Sequence, residues 1–142
     1  MKSLDDFINE ALEHVDELFP WDLEDALQEI NNLLLLDVRE PWEYDAMHIR
    51  GAINVPRGIL ETACEYDYEE TVPELVEARE RDIVVICRSG KRSVLAASVM
   101  QQMGYRNVKS LKTGMRCLLY TSPSPRDSYA DLVCRLLLEK RG

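Results

Sequence analysis

The stretch CRSGKRS, residues 87–93, directly follows the apolar run IVVI. A cysteine at the carboxyl end of a parallel strand, with a helix after it, sits where open α/β sheets place their ligands. Gly90 tolerates backbone conformations that turn successive N–H groups inward. Those N–H groups and the start of the following helix favour negative charge at the centre of the loop. Arg88, Lys91 and Arg92 add positive field, and Ser89 and Ser93 complete the segment. All of these groups stabilise a charged sulfur, and a sulfur anion in a ring of donors is a nucleophile. The same ring would hold an anionic substrate, or a sulfur anion formed on the cysteine. The plainer reading makes Cys87 a small buried hydrophobe at a strand end. The basic, Gly-containing continuation argues against it.

The elements that must position this loop read as α/β. LLLLDV, 33–38, is a continuous apolar run ending in Asp, which suggests a strand covered on both faces. AINV at 52–55, DIVVIC at 82–87 and NVKSL at 107–111 read as three further strands. Between them, REPWEYDAMH carries Pro41 near a helix start, TVPELVEARER carries Pro73, and SVLAASVMQQMG runs to a stop at Gly104. Residues 61–70 are acidic and read as loop. At the front, Ser3 can cap an amphipathic helix running to about Leu18, with Leu4, Phe7, Ile8, Ala11, Leu12 and Val15 as its apolar stripe. Pro20 breaks it, and Asp22 can cap a second helix. Strands alternating with helices predict a mainly parallel sheet. The expected organisation is a helical extension over 1–20, a domain over 21–116 and a separate tail over 117–142.

The totals narrow the function. The chain has 142 residues, 46% hydrophobic and 30% charged, the profile of one globular domain. A formal charge of -9 argues against nucleic acid as a partner. No run is long enough for a membrane span, and the acidic start lacks the features of an export signal. A cytoplasmic location is expected. The four Cys, at 64, 87, 117 and 134, show no CxxC and no ligand-like His pairing, so neither a metal site nor a disulfide framework is expected. No cofactor is expected. Cys64 lies in the acidic run CEYDYEE, which would disfavour its thiolate.

LLLLDVREPWEYDAMHIRGAINVP followed by IVVICRSGKRSVLAASVMQQMGYRNVKSLKTG resembles the rhodanese family of sulfurtransferases, over about 33–114. The resemblance implies a parallel sheet flanked by helices. It implies that Cys87 takes a sulfane sulfur from a donor such as thiosulfate, becomes a persulfide, and passes the sulfur to cyanide, a thiol or a protein acceptor. Carried onto this chain, residues 88–92 cradle the persulfide, and Ser93, at the start of the helix, joins them in binding the substrate. Arg88 and Lys91 would bind the anionic donor. Arg92 would face the substrate or hold the loop against a carboxylate such as Asp37. Asp37 with Arg39 reads as a framework ion pair, and His48 as a residue that fixes the loop. Arg57, in VPRG, reads either as a structural residue or as one lining the mouth of the site. Related phosphatases place Arg after a five-residue interval from their Cys. Here that position is Ser93, and Arg92 comes one residue early. The tighter loop suits sulfur better than phosphoryl. A noncatalytic or carrier module is the main alternative, and a phosphatase or arsenate reductase the lesser one. The chain departs from the common pattern at Met47 and Arg50, where Gly and Pro are frequent, and at Thr113-Gly114-Met115, where Gly-Gly-aromatic is frequent.

The run CLLYTSPSPRD, 117–127, has neither helical nor strand period. A codon choice for it reproduces DNA resembling the transposase-end and adapter sequence of short-read libraries, and LVCRLLLE, 132–139, resembles the distal part of the same adapter. Residues 117–142 are therefore expected to be a translated artefact, with the domain cut before its natural end.

Overall fold

The computed structural model describes residues 1–115 together with the backbone of a two-residue strand at Leu138–Glu139. The expectations for 117–142, including the non-native tail and the roles of Cys117 and Cys134, lie outside the described residues apart from that strand.

Five strands form one parallel sheet. In chain order they are β1 (Asp16–Leu18), β2 (Leu34–Asp37), β4 (Ile53–Asn54), β5 (Asp82–Ile86) and β6 (Asn107–Leu111), and their spatial order is β1-β6-β5-β2-β4. The register pairs Leu34 with Ile83 and Asp37 with Ile86, and pairs Val85 with Ser110. The helices are α1 (Leu4–Leu12), α2 (Pro20–Glu29), α3 (Pro41–Ala46), α4 (Leu60–Ala63), α5 (Pro73–Val76) and α6 (Lys91–Gln102). A two-residue strand β3 (His48–Ile49) pairs antiparallel with β7 (Leu138–Glu139).

The unbroken apolar runs have the cause expected of them: both faces of the sheet are covered. Leu34, Leu36, Ile83, Val85 and Val108 pack with Ile8, Ala11, Leu60, Leu75 and Met100 of the helices on one side. Leu35, Val84, Ile86 and Leu111 pack with Leu23, Ile49 and Ala52 on the other. Each of the Val, Leu, Ile and Met side chains among them contributes about 1.5–3 kcal/mol by leaving water.

The front of the chain differs from its sequence reading. The Ser3 cap forms as expected: its hydroxyl accepts from the Asp6 amide at 3.2 Å, and the Asp6 carboxylate accepts from the Ser3 amide at 2.8 Å. The helix nevertheless stops at Leu12 rather than near Leu18, because Asp16–Leu18 becomes the edge strand paired with Lys109–Leu111. Pro20 starts α2 rather than merely ending α1. At the first helical position its missing N–H costs nothing. α1 packs on α6 through Ile8 and Ala11, while Leu4, Phe7 and Leu12 stay exposed. Part of the acidic 61–70 run is also helical, and Cys64, the residue that caps the end of that helix, is fully buried. The helix expected over 71–81 is only the single turn of α5.

Candidate active site

The chain runs from β2 outward to β4, then returns to the other side of β2 for β5 and continues to β6. The direction of winding therefore reverses between β2 and β5, and a crevice at the carboxyl ends of such strands is where α/β sheets bind ligands. Asp37 ends β2, and Cys87 directly follows β5.

The segment after Cys87 bends back over it. Gly90 takes φ +91 and is the N-cap of α6 with no side-chain cap of its own. That conformation aims its amide at the Cys87 sulfur, 3.0 Å away. A Cβ at Gly90 would lie 2.8 Å from the Thr113 amide nitrogen, so only glycine fits without displacing backbone. From the first turn of α6, the Ser93 hydroxyl stands 3.3 Å from the same sulfur, and it is 2.7 Å from the Ser110 hydroxyl on β6. α6 begins at Lys91, two residues earlier than the sequence suggests, so Ser93 belongs to its first turn. Cys87 and Ser93 are both fully buried.

The loop after β6 closes the other side. The Met115 amide donates to the Cys87 carbonyl at 2.8 Å. Gly114 lies so close that a Cβ there would meet the Cys87 carbonyl oxygen and the Arg88 carbonyl. Arg88 and Lys91 are exposed at the rim, Ser89 is half-buried, and neither rim cation forms an ion pair with a described residue. Arg92 is partly exposed and its Nη2 is 3.6 Å from Glu43 on α3, so the carboxylate it meets is Glu43 and not Asp37.

Asp37 is occupied by Arg39. The guanidinium Nη2 and Nε reach its two carboxylate oxygens at 2.8–3.1 Å, the Arg39 amide donates at 3.0 Å, and both side chains are under 5% exposed. Arg39 also donates to the Met47 carbonyl at 2.7 Å, and the Asn54 amide donates to the carbonyls of residues 37 and 39. This knot ties β2 to β4 and to the end of α3. His48 is buried in the same region, with Nδ1 2.8 Å from the Tyr44 carbonyl and its ring stacked on Tyr44 at 3.7 Å. Arg57 follows β4 and pairs with Glu61 at 2.8 Å.

Cys64 is the second described free thiol. Burial pushes its pKa up, and the facing Tyr105 hydroxyl and Arg79 oppose that only in part. Glu61 and Glu65 add a smaller push in the same direction, and of these only Glu65 belongs to the run CEYDYEE. A cavity lined by Leu18, Ile30, Asp82 and Asn107 lies at the far ends of β5 and β6 and contains none of the Cys87 loop. Among the described residues no His, Cys, Asp or Glu cluster is arranged to hold a metal ion.

The structure thus brings together Cys87, Gly90 and Ser93, with Arg88, Lys91 and Arg92 around them. Asp37 and His48 sit in the neighbouring support, each with bonds of its own. Ser110, Asn54, Glu43 and Gly114 are not apparent from the motif, because topology and not spacing brings them in. Ser110 alone left a sign: it is a polar residue on the Val108 side of an apolar strand.

A fold whose switch point carries a cysteine loop of this form has relatives. Residues 20–117 match the sequence profile of the rhodanese-like domain, and the chain belongs to that family. It is 30% identical over 101 residues to a protein of Allochromatium vinosum named sulfurtransferase, covering 71% of this chain and 85% of that one. It is 39% identical over 85 residues to a Bacillus subtilis protein provisionally named a sulfur carrier, covering 60% of this chain and 40% of that one. The chain spans 40%, 55% and 22% of the first three curated relatives it matches. Among solved structures, a Rhodopseudomonas palustris protein of unknown function, described as a possible tyrosine phosphatase, superposes with a TM-score of 0.71 at 24% identity. The match covers 92% of this chain and 91% of that one, and shows the common fold.

Proposed function

We propose that this protein is a sulfurtransferase that works through a Cys87 persulfide. The observation that carries the proposal is the convergence of the Gly90 amide and the Ser93 hydroxyl on one sulfur at the end of the central strand. In the first half-reaction the Cys87 thiolate attacks the sulfane sulfur of thiosulfate. A sulfur–sulfur bond to Cys87 forms, the bond to the sulfonate sulfur breaks, and sulfite leaves with its electron pair. In the second, cyanide or a thiolate attacks the outer sulfur and Cys87 departs as thiolate. The attacking group is already charged, so no general base is needed, and no metal or organic cofactor takes part. The exposed Arg88 and Lys91 draw in the anionic donor, and the loop amides hold charge on the outer sulfur. Cys87 lies beneath the loop, so the donor enters by parting the rim residues. Free Cys87 suits a reducing compartment such as the cytoplasm.

The test is thiosulfate–cyanide turnover by the wild type and Cys87→Ser. Turnover lost in a folded Cys87→Ser protein is expected, and turnover retained in a clean preparation contradicts the mechanism. A second reading, a sulfur carrier that unloads only to a protein partner, is favoured by the name of the Bacillus relative. It predicts a single loading event on Cys87 without cyanide turnover. Phosphatase chemistry is disfavoured by the early Arg92 and its contact with Glu43, and predicts hydrolysis of an aryl phosphate.

A further inference from the structure

The hydrogen bonds at Cys87 do not end at Ser93. Ser110 lies on β6, between Glu17 of β1 and Val85 of β5, and is fully buried. Its hydroxyl is 2.7 Å from Ser93 Oγ, which is in turn 3.3 Å from Cys87 Sγ. A serine hydroxyl has one proton to give and two lone pairs to accept with. A negatively charged sulfur can only accept. Ser93 must then direct its single proton to the sulfur, and its oxygen is left to accept from Ser110. Charge on the sulfur therefore fixes one direction along the row, from Ser110 to Ser93 to Cys87.

We propose that Ser110 is a positioning residue for the chemistry of Cys87, because the Ser110–Ser93–Cys87 row of hydroxyls orients and polarises the Ser93 hydroxyl toward a charged sulfur. The inference rests on Cys87 acting as a nucleophile. Hydrogen bonds in a row strengthen one another where water is excluded, and all three groups are buried. A purely structural role would be served by two serines satisfying each other, without any consequence at the sulfur.

The experiment compares wild type, Ser110→Ala, Ser110→Thr and Ser93→Ala. Two quantities are read: the rate at which iodoacetamide alkylates Cys87 near neutral pH, measured on the Cys87 peptide, and kcat and KM with thiosulfate. Thermal unfolding identifies folded variants. Ser93→Ala is expected to slow alkylation by about five- to tenfold, because the lost hydrogen bond to charge lowers the thiolate fraction by more than that and the greater nucleophilicity of the more basic thiolate returns about half of the loss. Ser110→Ala is expected to slow it by about two- to threefold and to lower kcat by a similar factor with KM unchanged. Ser110→Thr keeps the hydroxyl on a residue suited to strands and is expected to restore both. Wild-type alkylation and kcat in folded Ser110→Ala would overturn the proposal. So would equal losses in the Ala and Thr variants, which would mark a packing effect. Lack of thiosulfate turnover by the wild type would overturn only the sulfur-transfer reading, since the alkylation ratio would still decide the role of Ser110.

Discussion

At Cys87 a buried sulfur is given an amide and a hydroxyl as partners, while the positive charges stay at the rim. The proposed mechanism gives the two sets different work: the inner groups would act on the reacting atom, and exposed Lys91 on an anion arriving from solvent. Lys91→Ala is therefore expected to raise KM for thiosulfate by about three- to tenfold with little change in kcat, and added salt should shrink the difference. Steady-state kinetics at two ionic strengths checks this, and an unchanged KM would remove Lys91 from donor binding. Asp37 belongs to another class. Its carboxylate is saturated by Arg39 and shielded from solvent. Removing one member strands the other as an unpaired buried charge, at a cost of about 3–5 kcal/mol. Asp37→Ala and Arg39→Met should both lower stability in urea by that order. An Asp37→Ala protein of normal stability but without turnover would instead make Asp37 catalytic.

At the scale of elements, the loops after β5 and β6 lock together. Gly90 and Gly114 each occupy space that a side chain would contest with backbone of the other loop. Thr113, between them in space, has φ +63, a left-handed conformation that a β-branched residue adopts only under strain. Thr113→Gly is expected to relieve that strain and raise stability by about 0.5–1 kcal/mol after the added freedom of the unfolded chain is subtracted. A rise in urea midpoint checks it, and a fall would show that Thr113 contributes more by contact than it loses by strain. Sequence legibility also divides here. β2 and β5 announce themselves because burial on both faces leaves unbroken apolar runs, β6 shows only as the short mixed run NVKSL, and the site loop is legible because 87–93 is contiguous. β1 and β3 are three and two residues long, too short to show a period, and β1 begins with two acidic residues. The contacts of Ser93 with Ser110 and of Arg92 with Glu43 join distant segments through the sheet order, which local pattern does not encode.

For the whole molecule, the core beside the sheet encloses Cys64 and Tyr105, and burial raises both pKa values. The Tyr105 hydroxyl donates to the Leu75 carbonyl at 2.6 Å, and the Arg79 guanidinium lies over its ring. Above about pH 9, near the ordinary thiol value of 9.0, the unfolded chain releases protons that the folded one retains. The stability contributed by these groups is thus fully present below that pH and is lost progressively as the pH rises from there toward the raised folded-state values. Tyr105→Phe is expected to be less stable at neutral pH, by about 1–3 kcal/mol for the unpaired carbonyl, but to show a shallower alkaline decline. Urea unfolding from neutral to alkaline pH checks the slopes, and parallel curves would contradict the assignment to Tyr105. Burial does not separate the two thiols, since Cys64 and Cys87 are both enclosed in this core; position does, with Cys87 at the switch point and 3.0 Å from the Gly90 amide. The most direct test of the central claim is the intact mass of the chain after incubation with thiosulfate, with peptide mapping and a Cys87→Ser control. The account predicts a gain of one sulfur atom on the Cys87 peptide, removed by cyanide and absent in the control. A folded protein that gains no sulfur, or gains it elsewhere, would contradict it.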